Sequence, residues 1–240
     1  MHIMRSMVIG LTIIGFGLAD LGCTPADPKY GQEHVQTLAT RRRQVWAVGP
    51  CVNLSGERGV DPFLQADLLF HKLQEVQGVT VIPVNRVAEV YAALQIDHVS
   101  SPAQAALVCD LLQCDGLVIP TVTIFDSYDP PKFAGSLVLF IKPASFSRPV
   151  TIDPRELARR ATPLKVEEIP PTDDLVQAVG MFDAANGTVR DRIHAYSTGR
   201  KDVQGPLGER EFFLVMDRYC EFAYSQLIGD VIASPKLKGL

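Results

Sequence analysis

The sequence has no excess of basic residues. It carries 23 Lys and Arg against 27 Asp and Glu, which gives a net charge of −4. A nucleic-acid-binding domain is expected to be basic, with Lys and Arg clustered on one face. The only basic triplet, residues 41–43, precedes a predicted strand, where it is a solvated flank or a contact for an acidic surface. We therefore expect no nucleic-acid partner.

The chain also lacks the short motifs of common enzyme chemistry. It has no GxxxxGK[ST] loop for a nucleoside triphosphate, no HExxH and no GxSxG, and its five histidines are scattered. Asp115, Asp126 and Asp129 could meet near a predicted hairpin, but turn and edge positions explain these carboxylates without catalysis. We expect no catalytic residue, no metal and no cofactor, and hence a protein that is not an enzyme.

Cysteines are few, and their spacing is irregular. Cys51, Cys109, Cys114 and Cys220 lack the density of a disulfide scaffold and the paired two-residue spacing of a zinc site. Cys109 and Cys114 lie five residues apart near a predicted helix end, so a local bridge between them is one interpretation. The other is a set of buried thiols that act as small apolar residues.

The amino terminus has the organisation of an export signal. Arg5 precedes an apolar run over 7–19, which is short for a membrane-spanning helix, and Gly22 directly precedes Cys23. This pattern resembles the signal of bacterial lipoproteins, which implies removal of residues 1–22 and acylation of Cys23, with palmitate among the chains. A plain cleaved signal and an uncleaved apolar anchor are the alternatives.

A tether follows the cysteine in this interpretation. Residues 24–40 are polar, contain two prolines and show no apolar period, so we expect residues 23–43 to form a lipidated, flexible tether. Thr24, rather than Asp, follows the cysteine, and this resembles the signal for outer-membrane delivery. The expected location is therefore the outer membrane, facing the periplasm, with the lipid bilayer contacted through Cys23.

Strands and helices alternate in the expected domain, residues 44–234. A strand at 44–49 is followed by a helix capped by Asp61, a strand at 79–84, a helix capped by Asn85, and a helix that begins at Ser101 and Pro102. This order predicts an α/β (α+β) fold with a mixed sheet and covering helices.

A β-hairpin is predicted at 116–140. Apolar runs flank residues 127–135, a group rich in Asp, Pro, Tyr and Gly, which is typical of a wide, stiff tip. Along the first strand, the even-numbered residues from Val118 to Asp126 face one side and the odd-numbered residues from Ile119 to Phe125 face the other. Both sets are largely apolar, so the strand is expected to be central.

The carboxyl-terminal half begins with a long excursion at 143–172, where a short helix at 154–160 is one interpretation. A strand at 175–184 and a helix capped by Asn186 follow, and an apolar stripe predicts a long helix over 209–232 that faces the core. Residues 235–240 are expected to form a tail.

Short motifs in a fixed order carry a resemblance over residues 44 to about 142. They are Val48, Asn53-Leu54-Ser55-Gly56, Val81-Ile82-Pro83, Arg86-Val87 and Cys114-Asp115-Gly116-Leu117-Val118. This order resembles the α/β domain of bacterial envelope lipoproteins, whose relatives include CsgG, the amino-terminal domain of TolB and activators of penicillin-binding proteins. The second half is similar to uncharacterised lipoproteins with a Tyr-Asp-Pro-Pro hairpin tip. The resemblance implies an accessory role in secretion, pores or wall synthesis.

Two candidate sites follow from the residues. The hairpin tip offers aromatic contact area on a stiff loop, for an envelope protein or a second copy of the chain. Its candidate contact residues are Tyr128, Asp129, Pro130, Pro131 and Phe133. The turn with Asn53, Ser55 and Gly56 could hold an anion at a helix start, which keeps open a ligand- or phosphate-binding periplasmic enzyme that uses residues 53–59. We expect a non-enzymatic interaction or assembly module.

Overall fold

The computed structural model of the protein describes residues 35–142, 175–198, 200 and 206–239. Within them, a six-stranded sheet consists of β1 (Gln44–Val48), β2 (Val52–Asn53), β3 (Val79–Ile82), β4 (Gly116–Asp126), β5 (Lys132–Ile141) and β6 (Leu175–Asp183). The helices are α1 (Pro62–Gln74), α2 (Val84–Leu94), α3 (Pro102–Leu112), α4 (Gly187–Ser197), α5 (Glu211–Leu214) and α6 (Met216–Ile232). Cys23, the export signal and the excursion at 143–172 lie outside the described residues.

The sheet is mixed, as predicted. Its main order is β3-β1-β4-β5-β6, and β2 pairs with β4 beyond the end of β1. β1 runs parallel to β3 and β4, whereas β4, β5 and β6 are antiparallel neighbours. Parallel strands need a crossover connection, and α1 lies in the one that leads from β1 to its parallel neighbour β3. The predicted central place of β4 is confirmed.

Helices pack on both faces of the sheet, and each face has its own core. The larger core joins Trp46, Phe133 and Leu139 of the sheet to α1, α4 and α6. The smaller core lies on the opposite face, where α2 and α3 cover Leu117 and Phe140. The expected class, a mixed α/β fold that ends in a long helix, is confirmed.

Three helix starts predicted from capping residues are confirmed, and one is wrong. The Asp61 carboxylate accepts from the amides of Phe63 and Leu64, while the side chains of Ser101 and Asn186 cap α3 and α4. Asn85 does not cap α2. The extended residue before that helix is Pro83, which makes no side-chain cap, and α2 already begins at Val84.

A β-bulge overturns part of the predicted alternation along β4. Val122 pairs with Gly135 and Ile124 with Ala134, so Thr123 is an extra residue in β4. The extra residue exchanges the faces beyond it, because side chains alternate along a strand. Phe125 therefore packs against the same core as Val122, and Ile124 is 38% exposed.

The predicted helix over 209–232 is interrupted. A 3-10 turn, Gly208–Arg210, leads into α5, and Val215 is extended at φ −112° and ψ 108° before α6 begins. The Val215 carbonyl accepts from the Tyr219 amide, so Val215 ends one helix and starts the next. The break lets Phe212 enter the core beside the Tyr196 ring, with ring centroids 5.5 Å apart.

Packed residues extend into both flanking segments of the expected domain. Thr37 forms an isolated bridge with Gln77, and Leu38, expected in the tether, is only 4% exposed. At the other end, Leu237 is 1% exposed within a 3-10 turn, Pro235–Gly239, where a tail was expected. Burial of a single apolar side chain is favourable enough to hold each of these positions against the domain, although the surrounding segment is polar in composition.

Candidate functional site

The hairpin tip consists of the five residues between β4 and β5, and it is shorter than predicted because β5 already begins at Lys132. Residues 127–130 are exposed, and Tyr128 is 84% exposed. The Asp126 carboxylate accepts from the Tyr128 amide at 3.1 Å, which fixes the first residues of the turn. The Asp129–Pro130 peptide bond is cis. The tip thus presents one large aromatic side chain on a short, hydrogen-bonded loop.

Two of the predicted contact residues are not available at the surface. Phe133 is fully buried, and its ring packs edge-on against the Tyr224 ring at a centroid distance of 5.5 Å. Pro131 is buried as well, and its carbonyl accepts from the Ala184 amide at 3.0 Å. The expectation that Phe133 offers exposed aromatic area is therefore wrong, because the shorter tip places this residue inside the sheet.

Polar contacts to β6 brace the base of the tip. Lys132 and Asp183 face each other across β5 and β6, with Nζ 3.3 Å from a carboxylate oxygen. The Asp183 carboxylate also accepts from the Ala185 amide, and this hydrogen bond, together with Lys132, lowers the pKa of Asp183. The tip therefore projects from a base held by both backbone and side chains.

The turn after β2 is closed by its own side chains. Asn53 Oδ1 accepts from the Ser55 amide at 3.0 Å and from the Ser55 hydroxyl at 2.7 Å, and that hydroxyl accepts from the Glu57 amide. The first amides of α1 donate to the Asp61 carboxylate. An anion at this turn would compete with these bonds and approach Asp61, so the geometry disfavours the predicted anion site at Asn53, Ser55 and Gly56.

The carboxylates and thiols of the described residues form no metal-binding cluster. Asp115 precedes β4 and Asp126 ends it, so the whole strand separates them. Burial raises the pKa of the Cys51 thiol to about 12 and raises that of Cys220 as well. The hydrogen bond with Cys114, together with burial, raises the pKa of Cys109. In the described ranges, no group of three or more His, Cys, Asp and Glu is placed to hold a metal ion.

The sequence interpretation missed an open apolar face on β6. Val179 is 70% exposed, Met181 62% and Leu175 41%, although α2 and α3 cover the same side of the sheet at β1 and β4. A cavity of about 170 Å³ adjoins this face, lined by Val99, Pro102, Ile119, Val138, Phe140 and Leu175. The sequence could not reveal this face, because β6 is apolar at both its odd and its even positions, a pattern that favours burial on both sides.

A helix that crosses a membrane must be both long and apolar. No helix in the described ranges is both long enough and apolar enough to cross a membrane.

The described part of the chain is a mixed α/β domain with a projecting hairpin and an uncovered sheet face. No protein-family model matches the chain, and no curated protein matches it. Solved structures with a similar course of the chain include lipoprotein GNA1162 from Neisseria meningitidis, at 15% identity and a TM-score of 0.37, over 64% of this chain and 94% of that one.

Two further solved structures are similar to this chain at comparably low identity and TM-score. The PelC dodecamer from Paraburkholderia phytofirmans has 7% identity and a TM-score of 0.36, over 83% of this chain and 94% of that one. The LpoB carboxyl-terminal domain from Salmonella enterica has 11% identity and a TM-score of 0.35, over 43% and 75% of the two chains. At these values the likenesses carry no conclusion about function.

Proposed function

We propose that the protein is a membrane-anchored bacterial lipoprotein that acts as a non-enzymatic interaction or assembly module in the cell envelope. Acylated Cys23 holds it at the outer membrane, facing the periplasm, and it serves as an accessory in secretion, in a pore or in wall synthesis. The observation that carries the interaction role is the 84% exposed Tyr128 on a braced loop.

The anchoring part rests on the sequence around Cys23, where an apolar run and Gly22 directly precede the cysteine. Each buried methylene contributes about 0.8 kcal/mol to membrane binding, so two or three acyl chains on one residue would give lasting attachment. The folded part would then act close to a bilayer, and a partner in the same membrane would meet it at a raised effective concentration.

The interaction part rests on the exposed tip. Tyrosine is enriched at protein interfaces because it combines a large apolar ring with a hydroxyl that can hydrogen-bond. The short loop restricts the Tyr128 backbone before any partner arrives, which lowers the entropic cost of binding. Asp129 and Pro130 follow Tyr128 in the exposed tip and complete the proposed contact. The Ser55 and Glu57 amides of the turn after β2 already donate within the turn, which disfavours the enzyme alternative.

A fractionation experiment tests the anchor. Cells producing the unchanged chain or Cys23→Ala are fed an alkyne analogue of palmitate, and the membrane and soluble fractions are compared. We expect label and membrane retention for the unchanged chain and loss of both for Cys23→Ala. Cys51→Ala is the matched control and should keep the label. An unlabelled protein, or a Cys23→Ala variant that stays on the membrane, would overturn the anchoring proposal.

A crosslinking experiment tests the tip. A photoreactive amino acid replaces Tyr128 or, as a matched control, Leu54, which is 66% exposed on a different loop. Irradiation of intact cells should give a discrete adduct at position 128 that is missing at position 54, and its mass distinguishes an envelope protein from a second copy. Failure to form an adduct at position 128, or identical adducts from both positions, would contradict the tip as the contact.

A further inference from the structure

A cavity lined by arginines lies beside the start of β1. Its volume is about 360 Å³, and three consecutive arginines, residues 41–43, line it together with Leu38, Thr40 and Gln77. Among the described residues that line it, none is an Asp or a Glu. We call it the arginine cavity. Positive charge gathered in a concave place attracts anions.

Two of the three arginine charges are not neutralised within the described part of the chain. Arg42 forms an ion pair with Asp115, with 2.7 Å between a guanidinium nitrogen and a carboxylate oxygen. Arg43 donates only a long hydrogen bond, 3.5 Å, to the Val79 carbonyl, and no described carboxylate pairs with it. Arg41 is exposed and has no carboxylate partner among the described residues either. An anion in the cavity therefore meets two guanidinium groups whose charge is available.

The backbone on both sides of the arginines is fixed before any ligand binds. The Leu38 amide donates to the Gln77 carbonyl at 2.9 Å. Beyond the arginines, the Gln44 amide donates to the Gly78 carbonyl at 2.9 Å. Gly78 has a φ of +91°, and a Cβ atom there would lie 2.8 Å from the Leu38 carbonyl oxygen, so the two segments approach closely. A surface with an ordered backbone is occupied at a lower entropic cost.

Guanidinium groups suit one kind of anion in particular. The planar fork of an arginine matches the spacing of phosphate oxygens and can form two parallel hydrogen bonds with them. Arg41 and Arg43 are separated by a single residue and line the same cavity. Together they can contact the oxygens of one phosphate group.

The position of the arginine cavity indicates which phosphates it meets. Leu38, one of its lining residues, is buried and follows Thr37, which bridges to Gln77. The chain from Cys23 to Val35, the first described residue, spans at most about 40 Å even when fully extended. Under the proposed anchoring at Cys23, the segment that leads from the membrane enters the domain at this cavity. Lipid headgroups are therefore the nearest source of phosphate.

The hairpin tip lies at the other end of β4. Arg42 pairs with Asp115, which directly precedes β4, whereas the tip directly follows Asp126 at the end of this strand. A strand of 11 residues is about 35 Å long. Contact between the arginine cavity and lipid would therefore direct the tip away from the bilayer.

We propose that the arginine cavity binds the phosphate group of an anionic membrane lipid through Arg41 and Arg43. The inference rests on the membrane location in the proposed function, and it deepens that function because it orients the domain with Tyr128 away from the bilayer. Binding in the cavity itself requires no acyl chain on Cys23, so the two can be tested separately.

A lipid-binding measurement tests the ligand. The full-length Cys23→Ser chain is held in dodecyl maltoside micelles, and native mass spectrometry counts the bound lipid. The probes are dioleoyl phosphatidylglycerol, dioleoyl phosphatidylcholine and inorganic phosphate. The two lipids share their acyl chains and a phosphate, but the choline ammonium neutralises the second headgroup. We expect phosphatidylglycerol to bind at least tenfold more tightly than either of the other probes.

A pair of charge variants tests the site. Arg41→Gln combined with Arg43→Gln should weaken the binding of phosphatidylglycerol at least tenfold, because each basic residue at an anionic lipid surface strengthens binding about fivefold. The matched control is Arg190→Gln combined with Arg192→Gln, which removes two exposed charges at the same spacing on α4. The control should bind like the unchanged chain, and Trp46 fluorescence verifies the fold of both. Equal losses from the two pairs would overturn the inference, because net charge alone would then explain the binding.

A crosslinking experiment in intact cells tests the lipid contact. A photoreactive amino acid replaces Ala39, which is exposed next to the cavity, or Leu54 as the control. We expect a phospholipid adduct at position 39 and none at position 54, and the Arg41→Gln, Arg43→Gln chain should lose the adduct. A protein adduct in place of the lipid, equal binding of the two lipids in micelles, or tighter binding of inorganic phosphate would overturn the inference. Absence of the palmitate label would contradict the anchoring, whereas absence of lipid selectivity in micelles would contradict the cavity, so the two failures are distinct.

Discussion

Asp115 and Val45 are joined by two hydrogen bonds. The Asp115 amide donates to the Val45 carbonyl at 2.7 Å, and the Val45 amide donates to the Asp115 carboxylate at 2.9 Å. The other carboxylate oxygen accepts from Arg42 at 2.7 Å. Regular pairing of β1 with β4 begins one residue later, at Trp46 and Gly116. Asp115 therefore satisfies a part-buried amide at the point where the two central strands meet.

Asp115→Ala should lower the free energy of unfolding by about 1 to 3 kcal/mol, because the Val45 amide loses its acceptor and stays partly buried. Arg42→Ala removes only an ion pair whose arginine is 69% exposed, so we expect less than about 1 kcal/mol. Urea unfolding followed by the fluorescence of Trp46, the single tryptophan, measures both changes. Equal losses would show that the ion pair, and not the amide, is the stabilising contact.

Gly135→Ala should destabilise the hairpin. Gly135 pairs with Val122 at the β-bulge, and a Cβ atom there would clash with the Thr121 carbonyl oxygen and contact the Phe133 ring at 3.3 Å. Relief of such a clash requires backbone shifts, which cost about 1 to 3 kcal/mol. Gly59→Ala is the control, since a Cβ atom at Gly59 has no neighbour within 4 Å, and a change within about 0.5 kcal/mol is expected. Urea midpoints of the two variants give the comparison, and equal losses would exclude a steric role for Gly135.

Capping residues could be predicted from the sequence because they act locally. Asp61 and Ser101 each stand directly before a proline and cap a helix through amides two or three residues further on. The prediction for Asn85 was wrong although asparagine favours the capping position. In the structure the extended residue before α2 is Pro83, so the helix begins ahead of Asn85. The fold class, a mixed sheet with covering helices, was predictable because it follows from the alternation of strands and helices along the chain.

Contacts between distant segments could not be predicted. Phe133 and Tyr224 are far apart in the chain, so their packing, which buries Phe133, leaves no local trace in the sequence. The bulge at Thr123 depends on how β4 and β5 pair, and it changes the face on which Phe125 lies. The exposure of Val179 depends on which helices reach the sheet edge, and an apolar strand pattern alone cannot supply that information.

The ionisation of Glu75 should make the free energy of unfolding depend on pH. Burial raises the pKa of its carboxyl, but hydrogen bonds from Arg200 and Lys72 outweigh this, and the pKa lies below 4.5 in the folded protein. A lowered folded pKa adds stability that is complete above the unfolded value and is lost as the pH falls through the folded value. Glu75→Gln should therefore be less stable than the unchanged chain at pH 7, and the difference should shrink as the pH falls below 4.5.

The size of this effect is limited because the Glu75 side chain is 41% exposed and solvent screens its contacts. Urea midpoints for both proteins over a series of pH values give the measurement. Glu89→Gln is the control, since Glu89 and Arg86 form an ion pair that is exposed on both sides. A difference between Glu75→Gln and the unchanged chain that stays constant down to acid pH would contradict the linkage.

The four described cysteines should resist thiol reagents in the folded protein. Only the thiolate is reactive, and burial raises the pKa of Cys51 to about 12 while leaving its side chain 5% exposed. Cys109 and Cys220 are fully buried. In a Cys23→Ser background we expect negligible labelling by Ellman's reagent without urea and full labelling in urea, with Leu54→Cys as a rapidly reacting control. Cys109 and Cys114 are not bridged in the structure, so four reactive thiols are expected in urea, and two fewer would contradict this. Rapid labelling of the folded chain would mean that these thiols open to solvent far more readily than their packing implies.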